Sequence, residues 1–202
     1  MANWCSNAIA FYQDGGGNYL LEAFYVDIWK YQDCKDPETG NLSSWVGHWL
    51  QSNRVNPETM YTRGFITSIE LYSDHVRVEM ETAWEPLPEV WDIMADKYGL
   101  SYVYIAEELG LEIYVNTDAE ERFFSDRYVI QSFEVDDLGL DVETMILYGE
   151  RLRELGEFTR YYDSFEDVLR DFTEFSFDVA TLDKLNNRLD EFGIEVYEYS
   201  VE

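Results

Sequence analysis

The sequence is short of positive charge. Lysine and arginine together supply only 14 residues against 42 aspartates and glutamates, which gives a formal net charge of -28 over 202 residues. A surface of this kind repels nucleic acids, anionic membranes and phosphorylated ligands, and it attracts cations and basic protein surfaces. The charge therefore argues against direct binding of nucleic acid or membrane and favours a basic protein as the partner.

Cysteine and long apolar runs are also scarce. Cys5 and Cys34 are the only cysteines, too few for a disulfide framework. No apolar run approaches the roughly 20 residues that a membrane helix needs. The N-terminus lacks the basic segment and the apolar segment of a signal peptide. We therefore expect a cytoplasmic protein with reduced thiols and no cofactor.

Few histidines are present to support a catalytic or metal-binding role for the cysteines. A nucleophilic Cys5 would need a base, and His48 and His75 are the only histidines. Cys5 and Cys34 lack the close spacing of zinc ligands. The acidic turn 136–141 lacks the spacing of an EF-hand loop, which leaves open only a weak divalent-cation site. We expect no enzymatic activity, no catalytic residue and no dedicated metal site.

Apolar and aromatic residues are abundant, at 46% and 17% of the chain. Acidic disordered tails lack aromatics, so this composition predicts a folded acidic body. The charge is uneven: seven acids and three bases give -4 over residues 1–60, fourteen and four give -10 over 61–125, and twenty-one and seven give -14 over 126–202. The growth of acidity toward the C-terminus suggests two functional halves.

Hydrophobic periodicity predicts an α+β fold for the first half. Val76, Val78, Met80 and Thr82 alternate with polar residues, as in a half-buried antiparallel strand. The predicted strands are 4–12, 65–71, 76–84, 101–106 and 111–116, and the predicted helices are 18–31, 42–50 and 86–98. The core order of strand, helix, strand, strand, helix, strand is the ferredoxin-like arrangement, an antiparallel sheet with helices on one face. We assign this domain to residues 1–120, with a helical insert at about 35–62.

The second half, residues 121–202, reads as an acidic α/β extension. Its predicted elements are strands at 127–135 and 194–201, with helices at 141–155 and from Ser164 and Thr181. Ser164, with Asp167 three residues on, resembles a capping box. The two strands could pair with each other or with the first sheet, and the sequence leaves both arrangements open.

Two short stretches resemble a known family. They are Asn-Trp-Cys-Ser-Asn at residues 3–7 and Thr-Ala-Trp-Glu-Pro-Leu-Pro at residues 82–88. Both are similar to segments of the YubB-like proteins of phages and plasmids, which contain a ferredoxin-like domain. The resemblance covers roughly residues 1–116 and implies an origin in a mobile genetic element, but no established activity. The insert at 35–62 is longer than the family leads us to expect, and the acidic half has no counterpart.

Carboxylates concentrate on the predicted helices of the second half. Residues three and four apart on a helix have Cβ atoms about 5–6 Å apart, and such rows could imitate DNA phosphates, spaced about 3.4 Å apart along each strand. The candidate acidic face comprises Glu143, Glu150, Glu154, Glu157, Asp163, Glu166, Asp167, Asp171 and Glu174. Tyr161, Tyr162, Tyr197 and Tyr199 are possible aromatic anchors for an interface. Simple solubility explains the same charge equally well.

Two functional hypotheses follow, and a third, a hydrolase that uses Cys5 or carboxylates, ranks behind both. The first is a non-enzymatic protein of a mobile element that occupies the basic nucleic-acid-binding surface of a host protein, for example a defence nuclease. The second is a ferredoxin-like binding or regulatory module whose acidity serves only solubility. Its groove would be lined by Trp4, Trp45, Trp49 and Trp84, which core packing explains equally well.

Overall fold

The protein forms two compact units in a computed structural model that describes residues 3–15, 18–32, 43–132, 159–172, 179–190 and 193–201. The first unit comprises residues 1–123 with 201–202, and the second comprises residues 124–200. This division lies close to the predicted boundary after residue 120. Within the described ranges, none of the helices combines the length and the apolar character needed to cross a bilayer.

The first unit is built on a five-stranded sheet in the order β2-β3-β1-β4-β5. Its strands are β1 (Trp4–Tyr12), β2 (Gly64–Leu71), β3 (His75–Ala83), β4 (Ser101–Glu108) and β5 (Ile113–Asn116). Every neighbouring pair is antiparallel, and β1 is central between β3 and β4. The arrangement is ferredoxin-like α+β with one further strand beside β4, and it confirms the predicted fold class.

Three helices cover one face of this sheet, as the periodicity predicts. They are α1 (Tyr19–Trp29), α2 (Val46–Ser52) and α3 (Pro88–Tyr98). Each buries apolar side chains against the strands: Leu21, Phe24 and Ile28 from α1, Trp49 and Leu50 from α2, and Val90, Trp91 and Met94 from α3. Gly99 ends α3 in the left-handed conformation, with φ +61°. We call the opposite face of the sheet the outer face.

The hairpin β2–β3 contains one irregularity that the alternation does not predict. Pairing shifts between Ile66 and Ser68, where β2 carries a bulge. The sequence pattern places Phe65 and Ile69 on the same face, but the bulge puts them on opposite faces. Ile66 and Ile69 are buried in the core, whereas Phe65 is 39% exposed. The bulge therefore turns Phe65 toward solvent, on the face opposite Ile69.

The second unit contains a separate three-stranded sheet in the order β7-β6-β8. Its elements are β6 (Tyr128–Ser132), β7 (Arg160–Tyr162), helix α4 (Phe165–Phe172), helix α5 (Leu182–Leu189) and β8 (Ile194–Glu198). Strands β6 and β8 pair antiparallel with each other, which decides between the two open arrangements. The sequence pattern does not predict the short strand β7, and the predicted helix 141–155 lies outside the described residues.

Asp27 joins helices α1, α2 and α3 through its carboxylate. Its Oδ2 accepts hydrogen bonds from Trp49 Nε1 at 3.1 Å, Lys97 Nζ at 2.9 Å and Tyr98 Oη at 2.7 Å. Lys30 Nζ lies 3.3 Å from Oδ1. Burial alone would raise the pKa of Asp27, but the hydrogen bonds from Tyr98 and Lys97 outweigh it and hold this pKa at about 2.

Tyrosine hydroxyls also donate to carboxylates in both units. At least six such hydrogen bonds occur among the described residues, with oxygen–oxygen distances of 2.5–2.8 Å. The pairs are Tyr72–Glu70, Tyr98–Asp27, Tyr102–Asp92, Tyr128–Glu198, Tyr162–Asp171 and Tyr197–Glu195. In a chain with few cations, the phenol supplies a donor that lysine or arginine would supply elsewhere. Burial and the bond to Glu198 raise the pKa of Tyr128 to about 12.

The Asp27 linkage predicts a stability that depends on pH. Replacing Asp27 with asparagine should lower the free energy of unfolding at neutral pH by about 1 to 2 kcal/mol, after allowance for solvent screening. The folded-state pKa of Asp27, about 2, is below the ordinary 3.8. The stabilisation by Asp27 is therefore complete above about pH 5, and it disappears as the pH falls from about 5 to about 2 and the carboxylate is protonated.

Urea unfolding followed by tryptophan fluorescence measures this difference, since all six tryptophans lie in the first unit. Asp96→Asn, an exposed change on α3, is the matched control and should leave stability almost unchanged. Two results would contradict this role of Asp27. One is an equal loss of unfolding free energy in both variants, and the other is a loss for Asp27→Asn that persists in acid.

Candidate functional site

The acidic helix α4 begins with the predicted capping arrangement. The backbone N–H of Asp167 donates to Ser164 Oγ at 3.2 Å, and Ser164 Oγ donates to Asp167 Oδ2 at 2.6 Å. Arg170 Nη1 lies 2.7 Å from Asp167 Oδ1, one helical turn further on. The bond from Ser164 and the nearby Arg170 lower the pKa of Asp167. Asp167 therefore stabilises its own helix, and part of its charge is compensated.

Asp171 is also engaged within the unit. Its Oδ2 accepts hydrogen bonds from Tyr162 Oη at 2.7 Å and Arg160 Nη1 at 3.2 Å, which tie α4 to β7. Burial and the bond to Asp171 raise the pKa of Tyr162. In the described part of this unit, Asp163 and Glu166 differ from these two, because both are exposed and neither has a hydrogen-bond or ion-pair partner.

The remaining predicted acids belong to segments that the structure does not describe. Glu143, Glu150, Glu154, Glu157 and Glu174 lie outside the described residues, as does the acidic turn 136–141. The described segment therefore contributes two of the nine predicted carboxylates, Asp163 and Glu166, as unpaired surface charges.

The four predicted tyrosine anchors fall into different environments. Tyr161 is 48% exposed and remains a candidate anchor. Tyr162 and Tyr197 are half-buried, and their hydroxyls donate to Asp171 and Glu195. Tyr199 is only 2% exposed, so its prediction as an anchor is wrong. Regular alternation would place it beside Tyr197, but β8 ends at Glu198 and the chain buries the next side chain.

The two family-like stretches meet at one end of the first sheet. Cys5 on β1 lies opposite Thr82 on β3, and the N–H of Trp84 donates to the carbonyl of Asn3 at 2.9 Å. Between the strands, the buried Asn7 amide donates to Thr82 Oγ1 at 2.9 Å and to the Met80 carbonyl at 3.2 Å. Residues 3–7 and 82–88 therefore form one hydrogen-bonded structure, although they are far apart in the sequence.

Cys5 belongs to the interior of this structure. Its side chain is fully buried, and burial raises the pKa of its thiol to about 12. Such a thiol is protonated at neutral pH and is not a nucleophile. Within the described ranges, no group of three histidine, cysteine, aspartate or glutamate side chains is placed to hold a metal ion.

The four tryptophans of the predicted groove do not line a common surface. Trp49 is fully buried in the core, and Trp45 is half-buried with its Nε1 donating to the Thr62 carbonyl at 2.6 Å. Trp4 is 47% exposed and Trp84 is 38% exposed. The predicted groove is therefore wrong as a set of four, because core packing accounts for Trp49 and largely for Trp45.

The outer face of the sheet instead carries a smaller exposed cluster around Trp4. The rings of Trp4 on β1 and Phe65 on β2 lie 5.9 Å apart at their centroids, across the intervening strand β3. Glu81 on β3 lies directly opposite Phe65 in the strand register. We call these three residues the Trp4 patch. Sequence reasoning missed Phe65, because only the bulge in β2 turns it toward solvent.

A cleft of about 190 Å³ with both polar and apolar walls lies elsewhere in the first unit. Gln13, Asn18, Ser73 and Arg122 contribute to its walls. The Arg122 guanidinium lies over the ring of Tyr12, 4.7 Å from its centroid. Pockets that enclose small-molecule ligands have volumes of about 300 to 1,000 Å³, so this cleft is small for a substrate site. The broader exposed surfaces are better candidates for function.

The burial of Cys5 predicts a slow reaction with alkylating reagents. In the native protein at neutral pH, iodoacetamide should leave Cys5 unmodified, because the thiolate is scarce and the sulfur is inaccessible. Mass mapping of proteolytic peptides after brief treatment measures the modified fraction. The same treatment in denaturant is the control and should modify Cys5, whereas rapid modification in the native state would contradict its burial.

No family model, curated protein or solved structure matches this chain. The resemblance to the YubB-like proteins therefore stays a prediction based on residues 3–7 and 82–88. The geometry adds a physical relation between these stretches, since they pair on adjacent strands and share a buried hydrogen-bond network.

Proposed function

We propose that this chain is a non-enzymatic interaction protein that mimics nucleic acid and blocks the basic DNA- or RNA-binding surface of a host defence protein. The net charge of -28 and the exposed carboxylates are the features that support it. By its resemblance to the YubB-like group, the protein would come from a phage or plasmid and act in the cytoplasm of the host.

The observation that carries the proposal is at the start of α4. Asp163 and Glu166 are exposed, have no partner among the described residues, and lie near the exposed ring of Tyr161 in the chain. Unpaired surface carboxylates leave their full charge available to an approaching cation. A nearby tyrosine supplies the aromatic contact that interfaces favour.

The mechanism is electrostatic competition. The long-range field of the acidic chain accelerates encounter with a basic surface, and this acceleration decreases as salt screens the charges. Short-range contacts then set the lifetime of the complex. A bound mimic excludes DNA or RNA from the same surface, because both need the same lysine and arginine side chains.

A second candidate is the binding or regulatory module of a mobile element. The exposed Trp4 and Trp84 favour it, since both lie at the sheet end formed by the two family-like stretches. In this case the acidity contributes solubility, and binding depends on the first unit alone.

Charge reversal at α4 tests the first candidate. Purified bacterial nucleic-acid-binding proteins, including a defence nuclease, are mixed with labelled duplex DNA and increasing amounts of this chain. The wild-type protein should displace the DNA at low salt, and Asp163→Lys with Glu166→Lys should slow its association by about tenfold with little change in dissociation.

The matched control is Asp96→Lys with Glu120→Lys, which changes the net charge equally at exposed positions of the first unit. The control should retain most of the displacement. Equal loss in both double variants would indicate a general charge effect and contradict a defined acidic face. Absence of any complex at low salt would exclude the first candidate.

A further inference from the structure

The Trp4 patch combines two exposed aromatic rings with a carboxylate that has no partner among the described residues. Trp4 and Phe65 are 47% and 39% exposed, and their ring centroids lie 5.9 Å apart. We propose that Trp4, Phe65 and Glu81 form a binding site for an arginine side chain of a partner protein. The site consists of residues of the first unit and shares none with the acidic face of α4.

Strand register places the three side chains together on the outer face. Glu81 lies opposite Phe65 on β2 and opposite Ser6 on β1, and Trp4 lies opposite Ala83 on the same pair of strands. Directly opposite residues of an antiparallel pair have Cβ atoms about 4.5–5.5 Å apart, and diagonal neighbours remain within reach of large side chains. The small side chain of Ala83 leaves room for the two rings to meet over β3.

The chemistry of the patch matches a guanidinium group. An arginine stacks on an aromatic ring by a cation–π interaction, and its planar donors bind a carboxylate. Trp4 and Phe65 supply the rings, and Glu81 supplies the carboxylate. An uncharged apolar group would cover the rings but leave the carboxylate without a partner.

In the part of the first unit that the structure describes, no lysine or arginine is paired with Glu81. Among the described residues it has neither a hydrogen bond nor an ion pair. Arg77 lies on the same face of β3, but its Nε donates to Glu79 at 3.2 Å. Burial raises the pKa of Glu81, so its charged form is held at a cost in the free protein. A cation from a partner would offset that cost.

Backbone strain lies next to the patch. Trp84 follows Ala83 with φ +72°, in the left-handed region that a non-glycine residue rarely adopts. This conformation costs on the order of 1 kcal/mol. The hydrogen bond from its N–H to the Asn3 carbonyl holds the strained residue beside Trp4. Strain of this kind concentrates at functional sites.

The inference rests on the proposed function in one respect, since the arginine belongs to a basic partner. The two proposals nevertheless depend on different residues and can fail separately. Substitution of Asp163 and Glu166 removes charge from α4 and leaves the residues of the Trp4 patch unchanged. Substitution of Glu81 changes the Trp4 patch and leaves the acidic residues of α4 unchanged.

The test compares two short peptides that differ in one group. One contains a single arginine between glycine and serine residues, and the other has citrulline, its uncharged isostere, at that position. Each is titrated into the full-length protein while the indole N–H signals are followed by NMR, with Trp4 assigned from a Trp4→Phe variant. The arginine peptide should shift the Trp4 signal in a saturable manner, and the citrulline peptide should not.

Glu81→Gln should weaken binding of the arginine peptide by about threefold to tenfold, which is the range expected for one cation site. Glu89→Gln removes the same charge from the exposed start of α3, on the opposite face of the sheet, and should change the affinity by less than about twofold. The same Glu81→Gln change should slightly raise the melting temperature at neutral pH, because it removes a poorly solvated charge. A misfolded variant would show the opposite shift.

Three results would overturn the proposal. The first is an equal Trp4 shift with the arginine and citrulline peptides. The second is an equal loss of affinity in Glu81→Gln and Glu89→Gln. The third is binding of the arginine peptide without any shift of the Trp4 signal, which would place the cation on another acidic surface and leave the proposed function standing.

Discussion

The register of the central strand β1 is the constraint on which the first unit depends. β1 is hydrogen-bonded on both sides, so its pleat also fixes which residues of β3 and β4 face the helices. Ile9 and Phe11 enter the core, and Trp4 is directed to the outer face. A slip of one residue would exchange the two sets and expose the core. The buried Asn7 amide opposes such a slip, since its partners on β3 are present in one register only.

Most of the fold could be predicted because, along the first half, the hydrophobic periodicity and the residues that end helices and strands indicate the same elements. The alternation of Val76, Val78 and Met80 indicates β3, and Gly99 ends α3 where the periodicity stops. The prediction failed where geometry departs from a regular period. The bulge in β2 turns Phe65 outward, and a three-residue strand such as β7 is too short to produce a pattern.

The candidate sites were harder to predict than the fold, since a sequence lists charges without their partners. Asp167 and Asp171 look like Asp163 and Glu166 until the structure shows that the first two bind Arg170 and Arg160. Tryptophans present the same difficulty, because exposure separates Trp4 from Trp49 and composition does not. The Trp4 patch can be identified only from the strand register, the bulge in β2 and the burial of each side chain. A local stretch of sequence reveals none of these three properties.

The tyrosine–carboxylate pairs have a consequence for the field around the molecule. A lysine that satisfies a carboxylate also cancels its charge at a distance, whereas a phenol is neutral and cancels nothing. Tyr102 orients Asp92, and Tyr128 orients Glu198, and the phenol cancels the charge of neither carboxylate. The chain can thus fix acids of this kind in defined positions while their negative potential still extends into the surrounding water.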